Sequence, residues 1–571
     1  MNQEPINVLF LLATALIVFA LGYRFYAKLL ALALFRPNAD YSTPAILDEK
    51  GRPAPPCRKP VLFGHHVVAI SAGTTLIGTT LAAFWGWIPA FLWLVTGTVV
   101  AAGTYGFGAL WLSATFPNRG LEAITGKLFG SGMRELTLIL TTIVLLLISA
   151  VFVWLATEVL AAYPAAVLGF WIQVPLALAL GAFWHRQGQE NLILTSVGIL
   201  FVAVILIAML GGTGFGFSGA LNINVGDSPM ISVDARFIWA ILIIVLVYHG
   251  LRLPVDKLVR PRAYLTALQV GLFLLWFLLG ALISAPAITA PEFHGTPGAP
   301  GIMPWLFITL VSGALAGFHM LIAHGITGPA MDQASDARNL GYGGALVDGV
   351  LAITALVISI TAFKNRTDWE NFYQSWQGIQ DLPKILNLYI EGFGQFTAHI
   401  GLGEHLSTNL AAIVILGLLT CALDATMAVL KQNIQKVTQP INFSRVNKKK
   451  FVLFLTTLML TIIIFLDGKG AGGRVLWPLW GITNHVLAFV MFIVLSLIVH
   501  QRQQLWQPLL LPIAFLIVIT TWAWVIILPI WWENGNWPAL LTGLLLLLIE
   551  LVVATKTAQA LYLLINKHRQ A

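Results

Sequence analysis

The sequence predicts an all-α, polytopic membrane protein of about fifteen transmembrane helices, with the N-terminus outside and the C-terminus inside. Three observations predict it. First, 58% of the 571 residues are hydrophobic and only 10% are charged, with a mean hydropathy of +0.84. Soluble proteins carry about 25% charge, so this much apolar surface needs lipid as its solvent. Second, apolar runs of about 20 residues recur along the whole chain, which a string of soluble cores would not produce. Third, the basic residues are sorted. Of the 32 Lys and Arg, 26 fall in alternate loops, the bias that marks the cytoplasmic side. The net charge of +8 and pI near 9.4 therefore report topology and not a nucleic-acid partner.

The elements follow in order. The first span, 6–27, is read as a retained helix, because "MNQEPINVLF" lacks a basic leader and its charges follow the apolar run. It leads into the basic loop 24–60, and segment 1–35 is expected to be extra to the core. Spans 65–84 and 87–112 return to inner loop 116–135, and spans 134–160 and 163–183 return to 184–191. Span 192–211 leads to outer loop 212–234, almost free of basic residues. Span 236–251 meets "VDKLVRPR" (255–262), read as a topology determinant. Spans 264–285 and 304–323 flank outer loop 286–303, and span 343–363 follows inner loop 324–342. Segment 364–406 is the one long outer loop, mixed in charge and expected to carry short surface helices. Spans 407–430, 451–467 and 477–499 enclose the inner loop 431–450, whose "RVNKKK" is a second topology determinant. The last spans, 509–530 and 538–563, enclose Trp531, Trp532 and Trp537, an outer aromatic belt.

No soluble segment is large enough to be an enzyme in its own right. Cys57 and Cys421 give neither a disulfide framework nor a CxxC metal site. No P-loop, nucleophile elbow or dinucleotide fingerprint occurs in a suitable context, so no ATP-driven step and no cofactor are expected.

Two spans spoil themselves. "FGHHVVAISAGTTLIGTT" (63–80) and "GFHMLIAHGITGP" (317–329) both carry Gly-x-His, then a glycine and threonines six to seven residues later. They lie an odd number of spans apart, so they cross the membrane in opposite directions. Paired glycine-interrupted helices in two inverted halves point to a secondary transporter's binding site. An unwound turn exposes backbone groups that lipid cannot satisfy but a substrate, ion or water can. Gly73 and Gly325 are expected at or near the unwound turns. Close helix packing through small residues is the plainer explanation of the same pattern.

At these residues the chain resembles the carbon starvation protein A (CstA) family of bacterial inner-membrane transporters. The blocks are "VLFGHHVVAISAGTTLIG" (61–78), "FITLVSGALAGFHMLIAHGIT" with "SDARNLGYGGALVDG" (307–349), "LTCALDATMAVLKQNIQ" (419–435) and "LWPLWGITNHVLA" (476–488). The resemblance runs from about residue 20 to the end. It implies uptake of peptides or pyruvate-like carboxylates, and an inverted-repeat core like that of the amino acid–polyamine–organocation superfamily. The halves would be 61–285 and 303–566. Three departures stand out. The family's Gly-Pro pairs are Gly73-Thr74 and Gly78-Thr79 here. Its intramembrane Gln-Asp pair is Tyr105-Gly106, and its "APRDYL" is "RPRAYL" (260–265), with Ala263 in place of Asp.

Candidate site residues follow from the cost of polar groups in lipid. His66 and His319 lie on the broken helices and can carry a proton or bind a carboxylate; each can also be a neutral ring satisfied by a carbonyl. Thr74, Thr75 and Thr327 join them as substrate- or ion-binding residues. Asp348 lies one turn inside span 343–363, where the matching family position also carries a carboxylate, and is a candidate proton acceptor. Asp424 would hold a cation with Thr426 or pair with a basic loop residue. Asp336 and Arg338 would form a cytoplasmic gate pair or a surface turn pair. Glu158 and Glu550 are expected to reach water or a neighbouring helix. His66, His249, His319, His324 and His485 raise the rival of a metal- or haem-bearing subunit, and the lost Asp that of a non-transporting sensor or assembly partner. The expected partners are a small peptide or carboxylate, a proton or other coupling ion, and the bilayer, with no nucleic acid; the oligomeric state is left open.

The charge bias yields a direct check. Loops 24–60 and 431–450 together hold 13 of the 32 basic residues, so Lys449→Cys should resist an impermeant thiol reagent applied to intact cells. Ready labelling from outside would reverse the orientation.

Overall fold

The computed structural model describes residues 7–37, 57–116, 120–187, 196–197, 199–200, 203–204, 207, 220–225, 228–310, 314–439 and 447–570. Its main helices are α1 Val8–Phe35, α2 Lys59–Ser71, α3 Thr74–Trp85, α4 Trp87–Thr115, α5 Ser131–Ala162, α6 Pro164–Gln187, α7 Ala235–Arg252, α8 Val259–Ser284, α9 Ile302–Thr309 and α10 His319–Ile322. They continue with α11 Arg338–Thr361, α12 Leu382–Ala398, α13 Glu404–Val437, α14 Lys448–Ile464, α15 Trp480–Gln501, α16 Gln507–Glu533 and α17 Trp537–Gln570. The protein is an all-α, multi-pass membrane protein. The strands among the described residues are one antiparallel hairpin, Ala220–Val225 with Ser228–Asp234, within the expected outer loop 212–234.

Among the described residues eleven helices are long and apolar enough to cross a membrane, or up to twelve with the bent pair α2 and α3. The expected fifteen differ from these for identifiable reasons. Span 304–323 is interrupted, and α14 (expected at 451–467) is 17 residues long. Span 192–211 falls mostly outside the described residues.

Burial sorts the helices. The apolar stretch of α15 is 100% buried and that of α13 94%, against 33% in α1 and α16. α13 and α15 are therefore the axis of the bundle, while α1 and α16 turn side chains such as Phe25, Leu511 and Val525 outward to lipid. Segment 364–406 departs from the surface helices expected of it. Arg366–Phe372 and Trp376–Ile379 are short, but α12 is an amphipathic helix with Leu382, Ile385, Tyr389 and Phe393 fully buried. Phe393 stacks on Phe273 of α8 at 3.8 Å between ring centroids. The alternation of apolar and charged residues in the sequence hides this, since a 3.6-residue stripe makes up only part of each turn.

Both expected acidic contacts are with neighbouring helices. Glu158 pairs with Arg236 of α7 at 2.9 Å. Glu550 accepts from Thr520, and from Trp524 Nε1 at 2.7 Å, both on α16.

α4 and α11 cross with backbone touching backbone. A Cβ on Gly106 would lie 2.6 Å from the Gly341 carbonyl oxygen, and one on Gly341 would lie 2.2 Å from that of Gly106. No side chain fits at Gly106 in this packing. Gly106→Ala should force the helices apart and cost about 1–3 kcal/mol. A thermal unfolding midpoint in detergent equal to that of the wild type would refute the crossing.

Candidate functional site

The first interruption lies where the glycine pattern expects it. α2 ends at Ser71, Ala72 (φ 51°) and Gly73 (φ 70°) are both left-handed, and α3 starts afresh at Thr74. The axis bends by 46°. Left-handed geometry costs an alanine roughly 1–2 kcal/mol, whereas glycine adopts it freely, so Gly73 sets the break and Ala72 is carried along. The new helix presents its first amide groups, which have no partner in their own helix, and places Thr74 and Thr75 in its first turn.

The second interruption is upstream of its expected place. α9 ends at Thr309, residues 315–318 are not helical, and α10 begins at His319. Gly325, expected at or near the unwound turn, sits instead in a π-helical turn, Ala323–Thr327, followed by a 3₁₀ turn, Gly328–Ala330. The glycine that the break requires is Gly317. A Cβ there would lie 2.0 Å from the Asn484 carbonyl oxygen. A side chain at Gly325 would meet Val429 Cγ2 at 2.5 Å, so a leucine there disturbs packing on α13 before it fills any gap.

The backbone groups released around the second break are taken by side chains. Tyr105 of α4 donates to the Gly317 carbonyl at 2.7 Å. Asn484 of α15 accepts from the Phe318 N–H at 3.0 Å. Gln432 of α13 donates to the Gly325 carbonyl at 3.0 Å. Sequence reasoning noted Tyr105 only as a departure from a family pattern and Asn484 only within "GITNH". Their signal is a hydrogen-bonding side chain placed within an otherwise apolar span.

The two interrupted segments meet. A Cβ on Gly78 of α3 would lie 2.5 Å from the Thr309 carbonyl oxygen at the end of α9. His66 Nδ1 and Thr327 Oγ1 are 2.9 Å apart, a hydrogen bond across 261 positions of sequence. The His319 ring hydrogen-bonds to the backbone of Ile70, one turn along α2 from His66. The His66 ring packs against Gly344 of α11. One turn further along α11, Asp348 accepts from Thr75 Oγ1 at 2.7 Å. His66, Thr74, Thr75, His319, Thr327 and Asp348 are each at most 3% exposed. Ser71 Oγ and His319 Nε2 have no hydrogen-bond partner in this cluster.

The other candidates lie elsewhere. Asp424 pairs with Arg262 of α8 at 2.5 Å, both buried, while Thr426 donates to the Ala422 carbonyl of its own helix at 2.7 Å. Of the two possibilities for Asp424, the ion pair holds, and Arg262 is thereby more than a topology determinant. Asp336 and Arg338 do not pair with each other. Asp336 meets Lys59 at the start of α2 at 2.9 Å. Arg338 donates to the Tyr23 carbonyl at 2.7 Å and covers the Tyr23 ring. Arg338 opens the π turn of α11 and faces α1, whereas Asp336 precedes that turn and faces α2. His485 Nδ1 lies 3.0 Å from the Gly481 carbonyl oxygen of its own helix. Among the described residues no three His, Cys, Asp or Glu are grouped as a metal site would need.

The family described as carbon starvation protein CstA matches residues 7–375 and 377–523. A Mycobacterium tuberculosis protein named "Peptide transporter CstA" is 30% identical over 366 residues, covering 62% of this chain and 47% of its own length. The Escherichia coli "Pyruvate/proton symporter BtsT" is 30% identical over 363 residues, covering 62% and 49%. The E. coli "Peptide transporter CstA" is 26% identical over 582 residues, covering 90% and 80%. The matched region spans about half the length of the first two relatives.

The buried Arg262–Asp424 pair gives a stability test. Asp424→Asn strands a guanidinium in the protein interior and should cost about 3–5 kcal/mol. Arg262→Met with Asp424→Leu removes both charges and should recover most of that loss. A double variant no more stable than Asp424→Asn would show that the pair is not the source of the effect.

Proposed function

Because this chain belongs to the carbon starvation protein CstA family, we propose that it is a secondary transporter importing small peptides or pyruvate-like carboxylates across the bacterial inner membrane, coupled to protons, by alternating access. One observation carries the reading. The His66–Thr327 hydrogen bond joins two interrupted membrane segments, so their irregular backbone converges on one buried polar cluster. Irregular backbone at membrane depth is tolerated where protein or a ligand satisfies it, and paired breaks are where secondary transporters hold their cargo. The halves 61–285 and 303–566 form the inverted repeat, and one helix group rocks against the other around the cluster. Lys59–Asp336 closes the cytoplasmic side, since it ties the start of α2 to the loop before α11.

The outer side has room for a charged substrate to arrive. A cavity of about 490 Å³ lies along α12, bordered by Asp381, Lys384, Asn387 and Glu391. It offers both signs of charge, as the two ends of a peptide require.

Uptake into proteoliposomes tests the reading. Dipeptides, tripeptides, pyruvate and amino acids should be compared with and without an imposed pH gradient, acidic outside. At least one class should accumulate only with the gradient. His319→Ala should lower that uptake by at least about tenfold, the loss of one charge-capable hydrogen bond. No uptake of any class by the wild type would exclude the proposal, and full uptake by the variant would move the site elsewhere.

A further inference from the structure

The polar face of α12 has a regular spacing. Asp381, Lys384, Leu388, Glu391 and Gln395 recur at three- and four-residue steps from the N-cap of the helix, so they lie in one stripe. Leu382, Ile385, Tyr389 and Phe393 occupy the opposite, buried face. The stripe borders the outer cavity of about 490 Å³. The facing wall is Ala362 and Phe363, just past the end of α11, and Phe372, at the end of the short helix Arg366–Phe372.

The charges along this wall do not pair with one another. Lys384 Nζ lies over the Phe372 ring, 4.4 Å from its centroid, and forms no ion pair with Asp381 or Glu391. An acid three residues before a lysine on a helix is well placed for such a pair, so its absence here is informative. One cation and two carboxylates therefore face a single space. Asn387, at its edge, accepts from the Tyr163 hydroxyl at 3.2 Å through Oδ1, which leaves its Nδ2–H donors for a carbonyl. Pro383 and Asn387 also border a second cavity of about 150 Å³, beside the Glu158–Arg236 pair. Phe363, Phe372 and Leu388 supply apolar surface between the charges, the mixture that small-molecule sites show.

We propose that this outer cavity captures short peptides by their two free termini, the carboxylate at Lys384 and the ammonium at Glu391, and that it does not capture monocarboxylates such as pyruvate. The inference rests on the transport reading above and chooses between its two substrate classes at the point of entry. Lys384 and Glu391 are seven residues apart, which is about 10.5 Å along the helix axis. An extended tripeptide spans about 10 Å, so three residues bridge the two charges. Its middle then passes Asn387, which lies between them on α12 and donates to a peptide carbonyl. A single exposed ion pair contributes little, so two on one ligand are what select it. A monocarboxylate meets Lys384 alone and is repelled by Asp381 and Glu391.

Occupancy of the cavity is measurable without transport. Gln395→Cys places a reporter thiol on its wall, and the native Cys57 and Cys421 are buried. With the full chain in nanodiscs, trialanine should slow labelling of that thiol by a charged maleimide. Pyruvate should not, nor should N-acetyl-trialanine, which lacks the ammonium, or trialanine amide, which lacks the carboxylate. Lys384→Gln and Glu391→Gln, each added to the reporter, should raise the half-protecting trialanine concentration by about threefold. Raising the salt to about 0.5 M should weaken protection in the same direction. Both side chains are exposed, so neither substitution disturbs the packed face of α12. Equal protection by pyruvate or by either blocked peptide would overturn the proposal, because the two termini would then not be what is read. Absence of protection by trialanine, or protection unchanged in both charge variants, would overturn it too. Protection with no uptake of any class into proteoliposomes would support the capture site and refute transport. Uptake of trialanine without protection would leave transport standing and refute the site.

Discussion

A backbone N–H or C=O that leaves its helix inside a bilayer must be met by another group, since lipid offers none and an unmet group costs several kcal/mol. Much of the polar chemistry in this bundle follows from that one constraint. Gly317 and Phe318 are met by Tyr105 and Asn484, and Gly325 by Gln432. The Val99 carbonyl, in the π turn Gly97–Ala102 of α4, is met by the Tyr342 hydroxyl at 3.0 Å. The Thr80 carbonyl in α3 accepts from Tyr373 of the outer segment at 2.9 Å. Each of these side chains is neutral, so each satisfies the backbone without bringing a charge into lipid. Each comes from a different helix or segment, so every irregularity also becomes a tether.

Tethers of this length need close helices, and the glycines supply the closeness. Gly317 lies on Asn484 and Ala488, Gly78 on Thr309, Gly481 on Ile308, and Gly106 on Gly341. Small residues at helix crossings are how membrane proteins gain packing without a hydrophobic driving force between helices. Close packing and irregular backbone, which the sequence offers as competing explanations of the same glycines, are thus two parts of one arrangement here. Gly317 serves both.

How much was legible in the sequence follows from the same physics. Long apolar runs are periodic and uninterrupted by design, so eleven of the expected spans stand as helices of sufficient length. Gly73 was legible because a left-handed turn between two helical halves demands it. Gly317 and Gly325 were not distinguishable, because one is required by a neighbouring helix and the other tolerated in a π turn, and neighbours cannot be read from one strand of sequence. The Asp424–Arg262 pair was half legible. A buried carboxylate demands a partner, but Arg262 sits in a basic cluster that topology alone explained. Asp336 and Arg338 were misread as partners because two positions in sequence do not make two side chains face one another when a π turn starts between them.

The two breaks are not equivalent, and the difference says where a ligand would act. At the second, the released carbonyl of Gly317 and N–H of Phe318 already have donors and acceptors from α4 and α15. A ligand there would have to displace hydrogen bonds as good as those it makes. At the first, Ser71 Oγ is buried without a partner, and the Thr75 hydroxyl lies within reach of both the Ser71 carbonyl and Asp348 Oδ1. A buried group left unsatisfied lowers stability, so a water or ligand beside this helix N-terminus would gain a hydrogen bond without displacing one. Thr327 of the second interrupted segment therefore braces His66 of the first, and the first break keeps a buried hydroxyl that the fold leaves unpaired.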